Sequence, residues 1–249
     1  MIQLSILKIN GYGPWTLTLG SDREHELQIL QASLYVELQK EFSKKNCLVF
    51  LNRADEFFVV SNGLDLEDHI EIQKNLKKKF DIRLSISIGY ADSPFEANLK
   101  ASDGKKNKVS LSDENNIFGF VNIASEEVTI MHFDVDDLSA KRKTLSPFEI
   151  SSIIFSLYVK MSKFFIKKNS LTFFMGGDNF MVVASIAGKK NAKDFIELIK
   201  KEDGILLNCG IGTGRTSREA VNLATKSLDT IRKIRDSGNV KPQVYELEC

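Results

Sequence analysis

A single order of elements, strand, helix, hairpin, helix, strand, helix, runs twice through these 249 residues, and its internal spacing repeats as well. Asn10 to Asp55 spans 45 positions and Asp134 to Asp178 spans 44, while Asp55 to Gly89 and Asp178 to Gly212 both span 34. Unrelated domains have no reason to agree in this way. The chain therefore reads as an α+β protein of two tandem ferredoxin-like (βαββαβ) domains from an internal duplication, each an antiparallel sheet with helices on one face. Its length allows two cores of about 100 to 130 residues each.

In the first copy, alternation and apolar runs predict strands over 4–9, 48–51, 57–60 and 84–90, with helices after Ser21, over 66–80 and from Pro94. Ser21 and Glu24 have capping-box spacing, and so do Ser146 and Glu149, where Pro147 also takes the first helical position. In the second copy, strands are expected over 128–133, 171–174, 180–183 and 207–214. Helices are expected from Pro147, near 192–202 and over 217–235, and a closing strand over 244–247. Between the copies, residues 101–116 turn to Ser, Asp, Gly, Lys and Asn without periodicity, which reads as a linker or long loop. The expected domains are thus 1–107 and 117–249.

The chemistry concentrates in the second copy. The sequence Gly176-Gly177-Asp178-Asn179 joins two apolar runs, so a carboxylate stands at the tip of a hairpin of buried strands. Such a charge needs water, a partner or a cation. In a βαββαβ sheet the first strand lies beside this hairpin, which brings Asp134 next to Asp178. Two adjacent carboxylates repel unless a cation sits between them. Magnesium suits this set, because it accepts one or two carboxylates and completes its shell with water and phosphate oxygens; the Val135 carbonyl offers another oxygen. Two such ions, roughly 3.5 to 4 Å apart, form the clamp of phosphoryl chemistry. In the first copy the strand exit reads Asn10, giving a weaker site opposite Asp55. Asp136 and Asp137 are either substrate or metal groups or solvated loop acids. Arg215 follows the glycines of GIGTG before a helix, a place for phosphate binding or a plain strand-to-helix turn.

Basic and acidic residues number 34 and 33, so the chain lacks the basic excess of a non-specific nucleic-acid binder. Three scattered cysteines without CxxC spacing supply no zinc motif and fit a reducing compartment. No apolar run approaches a membrane span and the N-terminus does not read as a secretory signal, so a soluble, cytoplasmic protein is expected.

The stretches NGYGPWT, FLNRADE, HFDVDDL, FMGGDNFMV and GIGTGRT together resemble the archaeal GTP cyclohydrolase III family over nearly the full length. The resemblance implies tandem palm domains related to diguanylate cyclases. It implies magnesium-dependent opening of the guanine imidazole ring of GTP, with release of two phosphates. The product would be 2-amino-5-formylamino-6-(5-phosphoribosylamino)pyrimidin-4(3H)-one, a precursor for riboflavin and deazaflavin biosynthesis. A monovalent cation such as K+ and a homo-oligomer (dimer or tetramer) are implied too. By motif, Asp134 and Asp178 match the metal-binding and catalytic pair, and Gly176, Gly177 and Asn179 match the hairpin around it. The chain departs from the family at Asn10 and at 52–56. The alternatives are a diguanylate-cyclase-like nucleotidyl transferase and a non-catalytic GTP sensor.

Overall fold

The computed structural model describes residues 1–123, 126–136, 144–185 and 187–249. The chain divides into two compact units, Met1–Asp92 with Glu96–Glu126, and Glu127–Cys249 with Ser93–Phe95. The first unit comprises β1 (Ile2–Ile9), α1 (Tyr12–Thr16), α2 (Arg23–Lys44), β2 (Leu48–Arg53), β3 (Glu56–Val60), α3 (Leu66–Lys77), β4 (Leu84–Ala91), α4 (Pro94–Lys106), β5 (Ser110–Ser112) and β6 (Ile117–Gly119). The second comprises β7 (Val128–Val135), α5 (Pro147–Ile166), β8 (Leu171–Gly176), β9 (Asn179–Val183), α6 (Gly188–Asp203), β10 (Leu207–Gly214), α7 (Ser217–Asp236) and β11 (Val244–Glu248).

The sheets run β2-β3-β1-β4-β6-β5 and β11-β10-β7-β9-β8. In both, the first four strands of the copy are antiparallel neighbours in the ferredoxin-like order, and one further strand pairs in parallel with the fourth. The duplicated unit is therefore longer than βαββαβ by one helix and one strand. This extension accounts for the stretch expected to be a linker. Its helix buries small residues, Ala97 and Ala101, which leave no apolar periodicity to read, and Ile117 of β6 is fully buried beside β4. The division between units accordingly falls at Glu126/Glu127, not between 107 and 117.

Each sheet is covered on both faces, in contrast to the one-sided arrangement expected. In the second unit Met131, Phe133 and Val135 of β7 point into a core shared with Ile154, Leu157 and Met161 of α5 and Phe195 of α6. The alternate positions of β10, Gly210 and Gly212, meet α7 instead: a Cβ at Gly212 would lie 2.2 Å from the Ala220 carbonyl oxygen and 2.3 Å from the Ala224 nitrogen. Gly89 of β4 meets Ala97 and Ala101 of α4 in the same way, at 2.3 Å from both. The glycines of GIGTG thus admit a helix backbone to the sheet. Among the described residues, no helix is long and apolar enough to cross a membrane.

Local signals hold where the backbone suits them. Ser146 and Glu149 form both bonds of the capping box. At α2 the N-cap is Asp22, whose φ of −94° and ψ of 22° are not extended, and no side-chain cap bond forms, so the box expected at Ser21 and Glu24 is absent.

A buried polar cluster sets the first unit apart. The Ser5 hydroxyl lies 2.7 Å from both His69 Nε2 and Ser61 Oγ, and His69 Nδ1 is 2.5 Å from the Asp65 carbonyl oxygen. That carbonyl only accepts, so Nδ1 carries the proton and Nε2 accepts from Ser5. Burial pushes the His69 pKa down, against the pull of the Asp65 carbonyl. The folded chain therefore resists a proton that the unfolded chain accepts near pH 6.5, and stability falls as pH drops through that value. Urea unfolding should show the wild type losing up to about 1.4 kcal/mol per pH unit relative to His69→Gln between pH 7.5 and 5.5. Parallel pH profiles for the two would refute this.

Candidate active site

The site is built at the end of β7, where alternation puts His132 and Asp134 on the face that α7 covers while their neighbours enter the core. Asp134 is buried between its cross-strand partners, Asn179 of β9 and Asn208 of β10. Asp178 occupies the two-residue turn between β8 and β9. Gly176 and Gly177, at φ 98° and 62°, supply a backbone there that other residues rarely adopt, and the register shifts between Phe174 and Gly176.

Three contacts fix these carboxylates. Arg232 Nη2 of α7 donates to Asp134 Oδ2 at 3.1 Å. Asn179 Nδ2 donates to Asp178 Oδ1 at 3.2 Å, and its own Oδ1 lies 3.0 Å from His132 Nε2. Because that amide oxygen only accepts, His132 carries its proton on Nε2, and Nδ1 faces the Thr225 hydroxyl at 3.4 Å. Burial lowers the His132 pKa, and Arg232 lowers it further. A neutral histidine thus holds the asparagine that holds Asp178.

Burial raises the Asp134 pKa; Arg232 opposes this and the charge of Asp178 adds to it. Among the described residues, the pair is a buried acid beside a second acid with one guanidinium for compensation, an arrangement that an added cation relieves. Its donors are hard oxygens, and among the described residues no group of three or more His, Cys, Asp or Glu side chains forms a metal cage. An ion that keeps waters and accepts phosphate oxygens fits this better than one requiring four protein ligands. Val135 ends β7 with its side chain buried, leaving its carbonyl as the group for such an ion.

Asp136 is nearby but engaged. Burial pushes its pKa up, yet the hydrogen bond from Lys241 prevails and holds it below the usual carboxylate range, with Arg235 Nη1 3.5 Å away. Lys241 also donates to Asn208 Oδ1 at 2.8 Å. Asp137 lies outside the described residues. Arg215 is not brought to the pair: it follows Gly214, which faces Val128, whereas Asp134 faces Asn208 six residues earlier on β10, roughly 20 Å away. Among the described residues, the cations beside the site are Arg232, Arg235 and Lys241. The spacing of Arg232 and Arg235 at one end of α7 was visible in the sequence, but nothing local connects them to Asp134, 98 positions upstream of Arg232.

Pairing also corrects the comparison of the copies. Leu4 faces Gly89 and Val60 as Ile130 faces Gly212 and Val183, so the counterpart of Asp134 is Lys8, which faces Glu56 and Ser85. Asn10 corresponds to Asp136; both donate their backbone N–H across to the residue before the fourth strand, Arg83 or Leu206. Lys8 Nζ lies 3.7 Å from Asp55 and 3.8 Å from Glu56. In the first copy an ammonium stands against the hairpin carboxylates, and in the second a carboxylate does.

The model of the GTP cyclohydrolase III family matches residues 2–244 of this chain. Curated proteins named GTP cyclohydrolase III are similar to it over most of their length. Those of Methanobrevibacter smithii and Methanothermobacter thermautotrophicus are each 34% identical over 93% of this chain and 94% or 95% of their own. That of Methanocaldococcus jannaschii is 33% identical over 93% of this chain and 88% of its own. A solved bacterial light-regulated adenylyl cyclase aligns with 94% of this chain at a TM-score of 0.39 and 14% identity, a distant likeness on which nothing below depends.

Proposed function

The chain belongs to the GTP cyclohydrolase III family and is an enzyme acting on GTP, and we propose that it opens the guanine imidazole ring in a magnesium-dependent reaction centred on Asp134 and Asp178. The proposed product is 2-amino-5-formylamino-6-(5-phosphoribosylamino)pyrimidin-4(3H)-one, formed with release of two phosphates. The observation that carries the reading is the buried Asp134 beside the hairpin carboxylate, an acidic pair whose charge is only partly met by Arg232.

Asp134, Asp178 and the Val135 carbonyl hold the metal in this reading, as a two-ion site. When bound, magnesium offsets phosphate charge and acidifies bound water. The residues of the chain do the rest. Arg232 favours the ionised form of Asp134 against its burial, while His132 through Asn179 fixes the direction of Asp178. Arg235 and Lys241 extend positive charge along the strand end, where a triphosphate gains charge-assisted hydrogen bonds. Stimulation by K+ and assembly into a homo-oligomer are part of the proposal and rest on family membership. Three free thiols fit a cytoplasmic location.

Adding EDTA should abolish loss of the guanine absorbance from GTP, and excess Mg2+ should restore it. Full turnover in the chelator would overturn the metal assignment. His132 supplies a finer test. His132→Leu should raise the Mg2+ concentration for half-maximal rate by about tenfold, the usual cost of losing support behind a metal ligand, and His132→Gln, which keeps an N–H donor, should restore most of it. An unchanged Mg2+ dependence in His132→Leu would remove His132 from that role.

A further inference from the structure

In the first copy, the end of β1 opens on two adjoining cavities, one of about 450 Å³ that reaches Gly11 and Trp15 and one of about 530 Å³ that reaches Lys77 and Asn116. Asn10 and residues 81–83 line both. The only tryptophan of the chain thus stands on one side of a groove and an ammonium on the other, with the Arg83 guanidinium common to the two.

The polar groups of this groove are oriented but not used up. Lys105 Nζ donates to Ser85 Oγ at 2.5 Å, and that hydroxyl donates to Asn10 Oδ1 at 2.8 Å. With its amide oxygen taken, Asn10 keeps its two Nδ2 hydrogens for a ligand. Among the described residues, Lys77, Asp81 and Arg83 form no ion pair, and the indole N–H of Trp15 has no acceptor. The half-buried Trp15 ring leans on Tyr12, centroids 6.0 Å apart, and Gln31 donates to the Tyr12 hydroxyl at 2.6 Å, so the tryptophan has a fixed backing.

Each group suits one part of a nucleotide. Trp15 gives a base a stacking face. Arg83, Lys77 and the Asn10 amide give a phosphate charged and neutral donors, the guanidinium two at once. The Asp81 carboxylate accepts paired N–H groups, which guanine carries side by side on one edge and adenine does not. Nothing here asks for a divalent ion, because Lys8 stands where the second copy has Asp134. We propose that the first copy binds a guanine nucleotide without a metal, the base on Trp15 and Asp81 and the phosphate on Asn10, Arg83 and Lys77. This second site is independent of the acidic pair.

A chain with one tryptophan reports on this groove directly. The experiment is titration of the full chain with GMP in EDTA, followed by tryptophan emission, for the wild type, Arg83→Ala and Asp81→Asn. GMP should change the emission saturably, and inorganic phosphate alone should not. Arg83→Ala should raise the half-saturating GMP concentration by about tenfold, the cost of one charge-assisted contact. Asp81→Asn should do the same for GMP and leave AMP within about twofold. A linear response, a response that appears only with Mg2+, or equal half-saturation in the wild type and Arg83→Ala overturns the site. So does an emission change that follows the sedimentation coefficient of the same samples, which would make the groove a contact with a second copy. With the metal chelated throughout, failure here leaves the acidic pair standing, and failure of the acidic pair leaves this site standing.

Discussion

Replacing Asp178 with asparagine is expected to lower kcat for GTP by about a hundredfold or more while leaving the fold in place. The side chain is half-buried in a turn, its Oδ1 continues to accept from Asn179 as an amide oxygen, and no core contact is lost. What disappears is one of two negative charges. Because Asp178 contributes to the raised pKa of Asp134, removing it also relieves the folded state, and Tm should stay level or rise slightly. The matched control is Asp55→Asn. Asp55 holds the same place in the first copy but faces Lys8, so turnover should stay within about twofold, the loss being that of a partly exposed ion pair. Wild-type turnover in Asp178→Asn would remove the acidic pair from the chemistry. Comparable losses in both variants would assign the two copies equal roles.

Gly212→Ala should produce a large loss of stability. Its Cβ has no room, with Ala220 oxygen and Ala224 nitrogen at 2.2 and 2.3 Å, and both are backbone atoms of α7 that cannot rotate away. The helix must move off the sheet, at about 3 kcal/mol or more, which for a chain of this size corresponds to roughly 10 °C in Tm. Activity should fall too, since Arg232 and Thr225 ride on α7. Gly176→Ala gives the contrast. Nothing lies within 4 Å of a Cβ there, so its cost is confined to the φ of 98°, on the order of 1 to 3 kcal/mol, without displacement of α7. A Gly212→Ala variant melting with the wild type would mean that the glycines of GIGTG serve something other than helix packing.

These glycines show where sequence reading reaches its limit. Helical spacing on α2 and α5, the two hairpins, the second capping box and the juxtaposition of β7 with the β8–β9 turn were all legible, because each follows from local chemistry or from the βαββαβ order. What depends on pairing was not. Spacing alone matched Asn10 to Asp134, since both follow an apolar run, whereas cross-strand register makes Lys8 the counterpart and hides it inside β1. The extra helix was expected in both copies and the extra strand in the second, whereas in the first the end of that helix and the strands after it were read as a linker. Ala97, Ala101, Gly104 and Gly119 bury backbone against backbone and leave no apolar stripe to find. Arg232 was invisible for a third reason: a charged residue on an amphipathic helix looks solvated until the sheet beneath supplies an acid. The glycine-rich turn before Arg215 left phosphate binding and a plain strand-to-helix turn both open, because close packing and phosphate binding ask for the same residue.

Mass analysis of what the full chain makes from GTP and Mg2+ bears most directly on the central claim, that the second copy is a metal-dependent site for opening the purine ring. The expected result is a formamidopyrimidine nucleoside monophosphate together with two phosphates released for each GTP consumed, lost in Asp178→Asn. GTP returned unchanged, or converted to a cyclic dinucleotide with the guanine ring intact, would contradict it.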